Sequence, residues 1–240
     1  MYCEYHSLAR RIQALDLGDY LEFGCGDGTF LKYVLSQNNS FRSVTAVDIN
    51  PESVQKAREN LTEWEVRFIV QEKLPLPLEG DQFSTITLSN TLHHLRDKDA
   101  VLSELKRLIK PDGRIIITEM ISNDISQAEQ TYCDFHAWRA AMDQLKGVYH
   151  DPTYTSDEIL SLITEQGLTI GKKEILKNDK IPEIDEHEIS QIETIIDDLV
   201  QDVSQRPEFL EFEKRAWSIK ENLRHFGIKR PRQLYLEITP

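Results

Sequence analysis

One short run, Glu22-Phe-Gly-Cys-Gly-Asp-Gly28, constrains this chain more than any other. It follows Tyr20-Leu-Glu-Phe23, which reads as a strand, and precedes a helical stretch from Thr29 to Leu35. Glycines let a backbone turn sharply and approach a ligand where any Cβ would collide. The helix that follows adds unpaired N–H groups at its N-terminus. Strand, glycine turn and helix is the local order of a nucleotide-binding unit. Asp48 comes about twenty residues later, at the end of a second strand, Ser43-Val-Thr-Ala-Val-Asp48, where an acid suits both hydroxyls of a ribose. The plain alternative is a turn with no ligand, but that much glycine costs chain entropy with nothing bound to offset it.

The rest of the first half alternates in the same way. Pro51 opens a helix to Leu61, Val66 to Val70 is a third strand, and Phe83 to Leu88 is a fourth. Asp97 starts a helix stopped by Pro111-Asp-Gly113, and Arg114-Ile-Ile-Ile-Thr-Glu119 is an apolar fifth strand, as in the middle of a parallel sheet. Later, Ser126 with Glu129 and Thr155 with Glu158 are capping-box signals, for helices to about Gly147 and Gly167. Leu168–Leu176 and Gln233–Ile238 are the last two strands. The expected fold is α/β, a doubly wound, mostly parallel seven-stranded sheet. Helical insertions follow the fifth strand and separate the sixth from the seventh. In the second insertion, Ile189, Ile192, Ile196, Leu199 and Val203 form one apolar stripe. Phe209, Phe212, Ala216, Ile219, Leu223 and Phe226 form another, closed by Gly227. Such helices pack on each other or on a partner chain.

A dinucleotide fingerprint needs glycines as G-x-G-x-x-G. Here the sixth position is Thr29, and the third glycine sits one place early, at Gly28. That spacing, with Glu22 two positions before Gly24, resembles motif I of the class I S-adenosylmethionine-dependent methyltransferases. Val47-Asp48-Ile49-Asn50 resembles their acidic second motif, Leu88-Ser-Asn-Thr-Leu-His-His94 their fourth, and Leu108-Ile-Lys-Pro-Asp-Gly-Arg114 the segment before their fifth strand. The nearest branch is that of the ubiquinone and menaquinone biosynthesis methyltransferases, and the likeness runs over residues 18–120.

The resemblance implies a Rossmann-like domain, S-adenosylmethionine as cofactor, and methyl transfer to a small-molecule acceptor by in-line displacement. It implies that Gly24, Cys25, Gly26 and Gly28 line the cofactor, with Glu22 beneath its ammonium group. Asp48 would take the ribose hydroxyls, Ile49 would pack on adenine, and Ser89 would offer its carbonyl to the ammonium. The acid expected after the third strand falls in Val70-Gln-Glu-Lys-Leu-Pro75, so Gln71 and Glu72 both stand for the adenine contact. On this reading residues 1–240 are one domain. Residues 18–120 hold the cofactor, while 121–155 and 178–230 build an acceptor pocket or lid.

His93 and His94 follow the fourth strand, at the edge where ligands bind in such folds. One reading makes one of them a general base, needed if the acceptor carries a proton at working pH. The other has them cap the turn and support the cofactor loop. A metal site from His93, His94, Asp97 and Asp99 matches no ligand spacing, and no metal is expected. The helix from Ser126 carries Tyr132, Phe135, His136, Trp138 and Arg139 and is the expected wall of an acceptor pocket. Tyr132, Phe135, Met142 and Leu145 read as its core stripe, leaving His136, Arg139 and the loop residue His150 open.

Composition narrows the partners. A formal net charge of −13 is repelled by phosphate backbones, and the densest basic group, Arg224, Lys229, Arg230 and Arg232, flanks a turn, so no nucleic-acid partner is expected. Between Glu174 and Asp202 ten carboxylates face only Lys177 and Lys180, without calcium-loop spacing. No stretch approaches the roughly 18 apolar residues of a membrane span, and the N-terminus lacks the regions of a signal peptide. Three scattered cysteines, Cys3, Cys25 and Cys133, suit a reducing cytoplasm and exclude an iron–sulfur cluster in known spacings. Two further readings stand beside the enzyme: a cofactor-binding sensor or accessory subunit, and a nicotinamide-dependent oxidoreductase, against which Thr29 speaks. The inserted helices would close over the site or pair two copies into a homodimer.

Overall fold

The computed structural model describes residues 6–178 and 186–240. Cys3 and Lys180 lie outside them. Contacts divide the chain into two compact units: Met1–Glu119 with Ser156–Leu176 and Gln233–Pro240, and Met120–Thr155 with Lys177–Arg232. The second unit consists largely of the two stretches that the sequence marks as helical insertions.

The first unit carries a seven-stranded sheet. In chain order its elements are α1 (His6–Gln13), β1 (Gly18–Phe23), α2 (Thr29–Gln37), β2 (Phe41–Asp48), α3 (Pro51–Asn60), β3 (Arg67–Val70) and β4 (Phe83–Ser89). A 3₁₀ turn (Leu92–His94), α4 (Lys98–Leu108), β5 (Ile109–Met120), α6 (Ser156–Glu165), β6 (Thr169–Leu176) and β7 (Gln233–Thr239) follow, with α5 (Gln127–Leu145) of the second unit intervening. The strand order is β3-β2-β1-β4-β5-β7-β6. β3, β2, β1, β4 and β5 run parallel, and β6 pairs antiparallel with β7. Chain order reverses between β1 and β4, and such a switch point opens a crevice at the carboxyl ends of the strands.

Local chemistry sets these elements. Asn50 caps α3 by accepting from the N–H groups of Glu52 and Ser53, with Pro51 in the first turn. Asp97 caps α4 through the N–H of Ala100. Ile115, Ile116 and Ile117 in β5 are all buried, as a strand covered on both faces requires. β5 starts earlier than the periodicity predicts. Ile109 pairs with Phe83 and Arg114 with Thr85, so Lys110 to Gly113 loop out between two ladder positions. One core joins Leu8, Tyr20, Leu31, Val34, Ala46, Val54, Ile116 and Tyr235.

In the second unit α7 (Glu186–Asp202) and α8 (Phe209–Phe226) pack with α5 around a separate core. Of the two packings foreseen for the helix pair, this structure contains the one within the chain. Ser126 forms both arms of its capping box with Glu129. Gly227, at φ 69°, closes α8 with its N–H on the Leu223 carbonyl. The core stripe of α5 differs from the sequence expectation. Trp138 is fully buried and donates from Nε1 to the Phe212 carbonyl at 3.0 Å, while Tyr132, Phe135 and Leu145 are only half-buried. Helical spacing could not see α8 arriving over Trp138, and that contact rotates the buried stripe away from the one predicted.

The charged runs are locally neutralised. Arg224 pairs with Glu193 and Glu221, Arg232 with Glu129, Lys146 with Asp202, and Lys220 with Asp197.

Candidate functional site

The carboxyl ends of β1, β2, β4 and β5 gather the residues that the sequence singles out. Beyond β1, the N–H groups of Gly24 and Cys25 both reach the Val47 carbonyl, and the Gly28 N–H closes back on the Cys25 carbonyl at 2.9 Å. The three glycines do different work. All have positive φ, at 74°, 52° and 80°. A Cβ on Gly24 would lie 2.3 Å from Thr91 Cγ2, and one on Gly28 would lie 2.8 Å from Leu61 Cδ1 and 3.2 Å from Ala57. Those two positions are small because protein atoms press on them. A Cβ on Gly26 would meet nothing within 4 Å, so the room above Gly26 is left for something else.

Packing alone therefore requires glycine at 24 and 28, whatever their backbones line. The Cys25 side chain is buried in the core, where burial pushes its thiol well up, so what Cys25 offers the turn is its backbone. Gly28→Ala should lose about 2–5 kcal/mol of stability, since overpacking costs roughly 1–3 and a left-handed Cβ about 1–2. Gly26→Ala should lose only the second part, about 1–2 kcal/mol. Chemical denaturation of the two variants checks this, and equal losses would refute the assigned roles.

Asp48 braces the turn from β2. Its Oδ2 accepts from the Gly26 N–H at 2.8 Å and its Oδ1 from the Asn50 N–H at 2.9 Å. A carboxylate has about four lone-pair sites, so two remain for further donors. Ile49, the next residue, is 64% exposed, an uncommon position for a large apolar side chain. Val70, paired with Asp48 in the sheet, is also exposed. Gln71 sends its backbone N–H to the Asp48 carbonyl and turns its side-chain amide to the Lys73 carbonyl at 2.8 Å. Glu72 is exposed. Of the two alternatives for an adenine contact, Gln71 is thus already engaged within its own loop.

Glu22 is buried beside two hydroxyls. Tyr20 donates to its Oε2 at 2.8 Å, Thr87 also hydrogen-bonds Oε2, and burial raises the carboxyl to about 8. Ser89 ends β4, with its Oγ accepting from Thr118 at 2.8 Å and its carbonyl accepting from Thr91 Oγ1 at 3.1 Å.

The 3₁₀ turn after β4 supplies a group that the sequence reading did not connect. His93 is buried, and its Nδ1 lies 2.7 Å from Glu119 Oε1, while Glu119 Oε2 accepts the Leu92 N–H at 3.0 Å. A carboxylate on Nδ1 holds the proton there and gives Nε2 the lone pair. His94 is exposed, its ring 4.3 Å from that of His93. The sequence signal for Glu119 was present: it is the one carboxylate in the run Arg114–Glu119 and sits where the fifth strand ends. Asp97 caps α4 and Asp99 accepts from Gln166, so both carboxylates of the discounted metal set are used elsewhere.

The opposite, amino-terminal edge of the sheet also has an open concavity, lined in part by Ser40, Arg42, Ser84 and Lys110. Two of its three cations, Arg42 and Lys110, are committed to Asp19, whose carboxyl they hold far below the usual range, and the third is Arg114. The convergence of glycine turn, acid and histidine lies at the other end.

Comparison with known proteins agrees with this geometry. Residues 21–115 match the family described as methyltransferase domain. Lovastatin nonaketide synthase, polyketide synthase component, of Aspergillus terreus is 29% identical over 146 residues, covering 57% of this chain and 5% of the synthase. The 2-methyl-6-phytyl-1,4-hydroquinone methyltransferase of a Synechocystis strain is 27% identical over 140 residues, covering 58% of this chain and 42% of the enzyme. An S-adenosylmethionine dependent methyltransferase from Mesorhizobium loti superposes with a TM-score of 0.58 at 15% identity, covering 99% of this chain and 98% of that one, which speaks for the fold. Among the described residues no helix is long and apolar enough to cross a membrane. Residues 21–115 thus match the methyltransferase-domain family, and the strand order and superposition give the chain the fold of the S-adenosylmethionine dependent methyltransferase that it resembles.

Proposed function

We propose that this chain binds S-adenosylmethionine at the carboxyl edge of its sheet and transfers the methyl group to a small molecule. One observation carries the reading: Asp48, with lone pairs to spare, stands beside a glycine whose Cβ direction is open and beside an exposed isoleucine. A polar ribose and a flat adenine need that combination of acceptor, clearance and apolar surface. The residues present therefore fit the cofactor. Asp48 receives the ribose hydroxyls, Ile49 lies against the base, and Gly26 leaves room for the chain between. Glu22 and the Ser89 carbonyl lie toward the amino-acid end, and a cation there favours the ionised form of Glu22.

When bound, the cofactor supplies a methyl group on a sulfonium, with a neutral thioether as leaving group. The protein's work is to hold the acceptor in line, exclude water and take a proton where the acceptor carries one. His93 is the group for that proton. Glu119 fixes its ring and tautomer, so Nε2 is the accepting atom.

The test is calorimetric titration with S-adenosylhomocysteine, with NADH in parallel. One-to-one binding of the first alone supports the reading. Binding of NADH instead, or of neither, removes it. Stoichiometric binding without turnover across a panel of oxygen, nitrogen and carbon acceptors favours a sensor. Asp48→Ala should weaken S-adenosylhomocysteine by about 1–3 kcal/mol, the cost of losing hydrogen bonds to a charged group. Unchanged affinity in that variant would misplace the site.

A further inference from the structure

We propose that Glu22 holds a proton while the cofactor is absent and surrenders it when the cofactor's ammonium group arrives, so that binding releases a proton to solvent. Such a release rests on the cofactor site assigned above, and it concerns the charge of that site before and after binding. Three buried oxygens set the proton count. Tyr20 Oη lies 2.8 Å from Glu22 Oε2, and Thr87 Oγ1 also hydrogen-bonds that oxygen. Tyr20 Oη and Thr87 Oγ1 are themselves 2.7 Å apart. The three oxygens thus form a closed triangle with a hydrogen-bond contact on each side, and all three residues are buried. The sheet fixes this meeting. Glu22 stands beside Thr87 in the ladder of β1 and β4, and Tyr20, two residues back on β1, shares its face.

A hydroxyl carries one proton to donate, and an ionised carboxylate carries none. With Glu22 ionised, Tyr20 and Thr87 bring two protons to three contacts, and one pair of oxygens faces lone pair to lone pair. A proton on Glu22 supplies the third donor, so that each oxygen gives to one neighbour and accepts from the other. Burial acts in the same direction. It disfavours the charged form and raises the carboxyl to about 8, although both hydroxyls pull the other way. Among the described residues the ionisable groups that interact with Glu22 are Tyr20 and the Cys25 thiol, and both are themselves pushed up, out of that range. On the β2 side Glu22 pairs with Ala46, and Asp48, further along that strand, bears on Cys25. Both hydroxyls use Oε2, and among the described residues Oε1 has no hydrogen-bond partner, which makes it the atom for the ammonium. An ammonium group there favours the carboxylate. The proton passes to solvent, and the new ion pair offsets the repulsion within the ionised triangle. Because the free site must lose a proton to bind, affinity rises with pH through the neutral range and levels off above about 8, where Glu22 is already ionised.

Calorimetric titration of the full chain with S-adenosylhomocysteine near pH 7, repeated in buffers of different ionisation enthalpy, counts the protons released. About one proton per ligand is expected for the wild type, with affinity rising roughly tenfold from about pH 6 to about pH 7. Methylthioadenosine, which has the nucleoside but not the amino-acid end, should bind without releasing a proton. Glu22→Gln, which keeps a donor in the triangle, should bind S-adenosylhomocysteine with no proton release and a flat pH profile over the same range. A second measurement needs no ligand. The infrared difference between wild type and Glu22→Gln should contain the carbonyl stretch of a neutral carboxyl near pH 6, fading as the pH passes about 8. Absence of that band, or binding of S-adenosylhomocysteine to the wild type with no proton released, would overturn the proposal. Equal release with methylthioadenosine, or from Glu22→Gln, would place the proton elsewhere and overturn it too. A neutral-carboxyl band in a protein that binds no S-adenosylhomocysteine would remove the cofactor reading itself, and the release step with it.

Discussion

His93→Ala is expected to lower turnover roughly 10²–10⁴-fold on an acceptor that must lose a proton, while S-adenosylhomocysteine affinity stays at the wild-type value. The expectation rests on the Nδ1 contact to Glu119 at 2.7 Å, which aims Nε2 as the accepting atom. A buried imidazole also fills space, so its loss has to be separated from simple loosening of the turn. Two readouts do that. Added imidazole should restore part of the rate in His93→Ala, which a packing defect would not allow. Glu119→Gln, which keeps the size of the side chain but removes the carboxylate that holds the Nδ1 proton, should lower turnover while leaving S-adenosylhomocysteine affinity unchanged. If turnover on a phenol-type acceptor survives His93→Ala intact, the base lies elsewhere or none is used, and the histidine only supports the loop.

The second large effect is on folding. Trp138→Ala is expected to lower the unfolding free energy of the second unit by about 3–5 kcal/mol, the usual cost of emptying a large aromatic site in a core. Trp138 packs against Phe212, with ring centroids 6.4 Å apart, and its indole N–H satisfies a carbonyl of α8. Truncation therefore leaves both a cavity and an unpaired acceptor where α5 and α8 meet. Denaturation followed by tryptophan-independent circular dichroism measures it. A loss under about 1 kcal/mol would mean that the helices hold together without that side chain.

Read from residue order alone, the parallel half of the molecule was legible almost element by element. Period, caps and glycine punctuation are local signals, and β1 to β5 with their helices obey them. The switch point also follows, because the handedness and adjacency of βαβ units leave few ways to arrange such a series. The glycine turn and Asp48 could be recognised because a backbone that must bend sharply and an acid at a strand end are local demands.

What escaped is non-local. Glycine types at 24 and 28 look like ligand clearances until Thr91, Ala57 and Leu61 arrive from elsewhere in the chain to press on them. Glu119 and His93 are 26 positions apart and meet only because β4 and β5 are neighbours in the sheet. Trp138 looked like one aromatic among several until α8 covered it, and His150 joins His136 only after the chain turns back at Gly147. The sequence by itself determined the sheet, the glycine turn and the acid beside it, since each depends on neighbours within a few residues. Tertiary structure alone decided which glycine faces open space, which ring is buried and which carboxylate holds each histidine, because those outcomes depend on side chains brought together by the packing of distant elements.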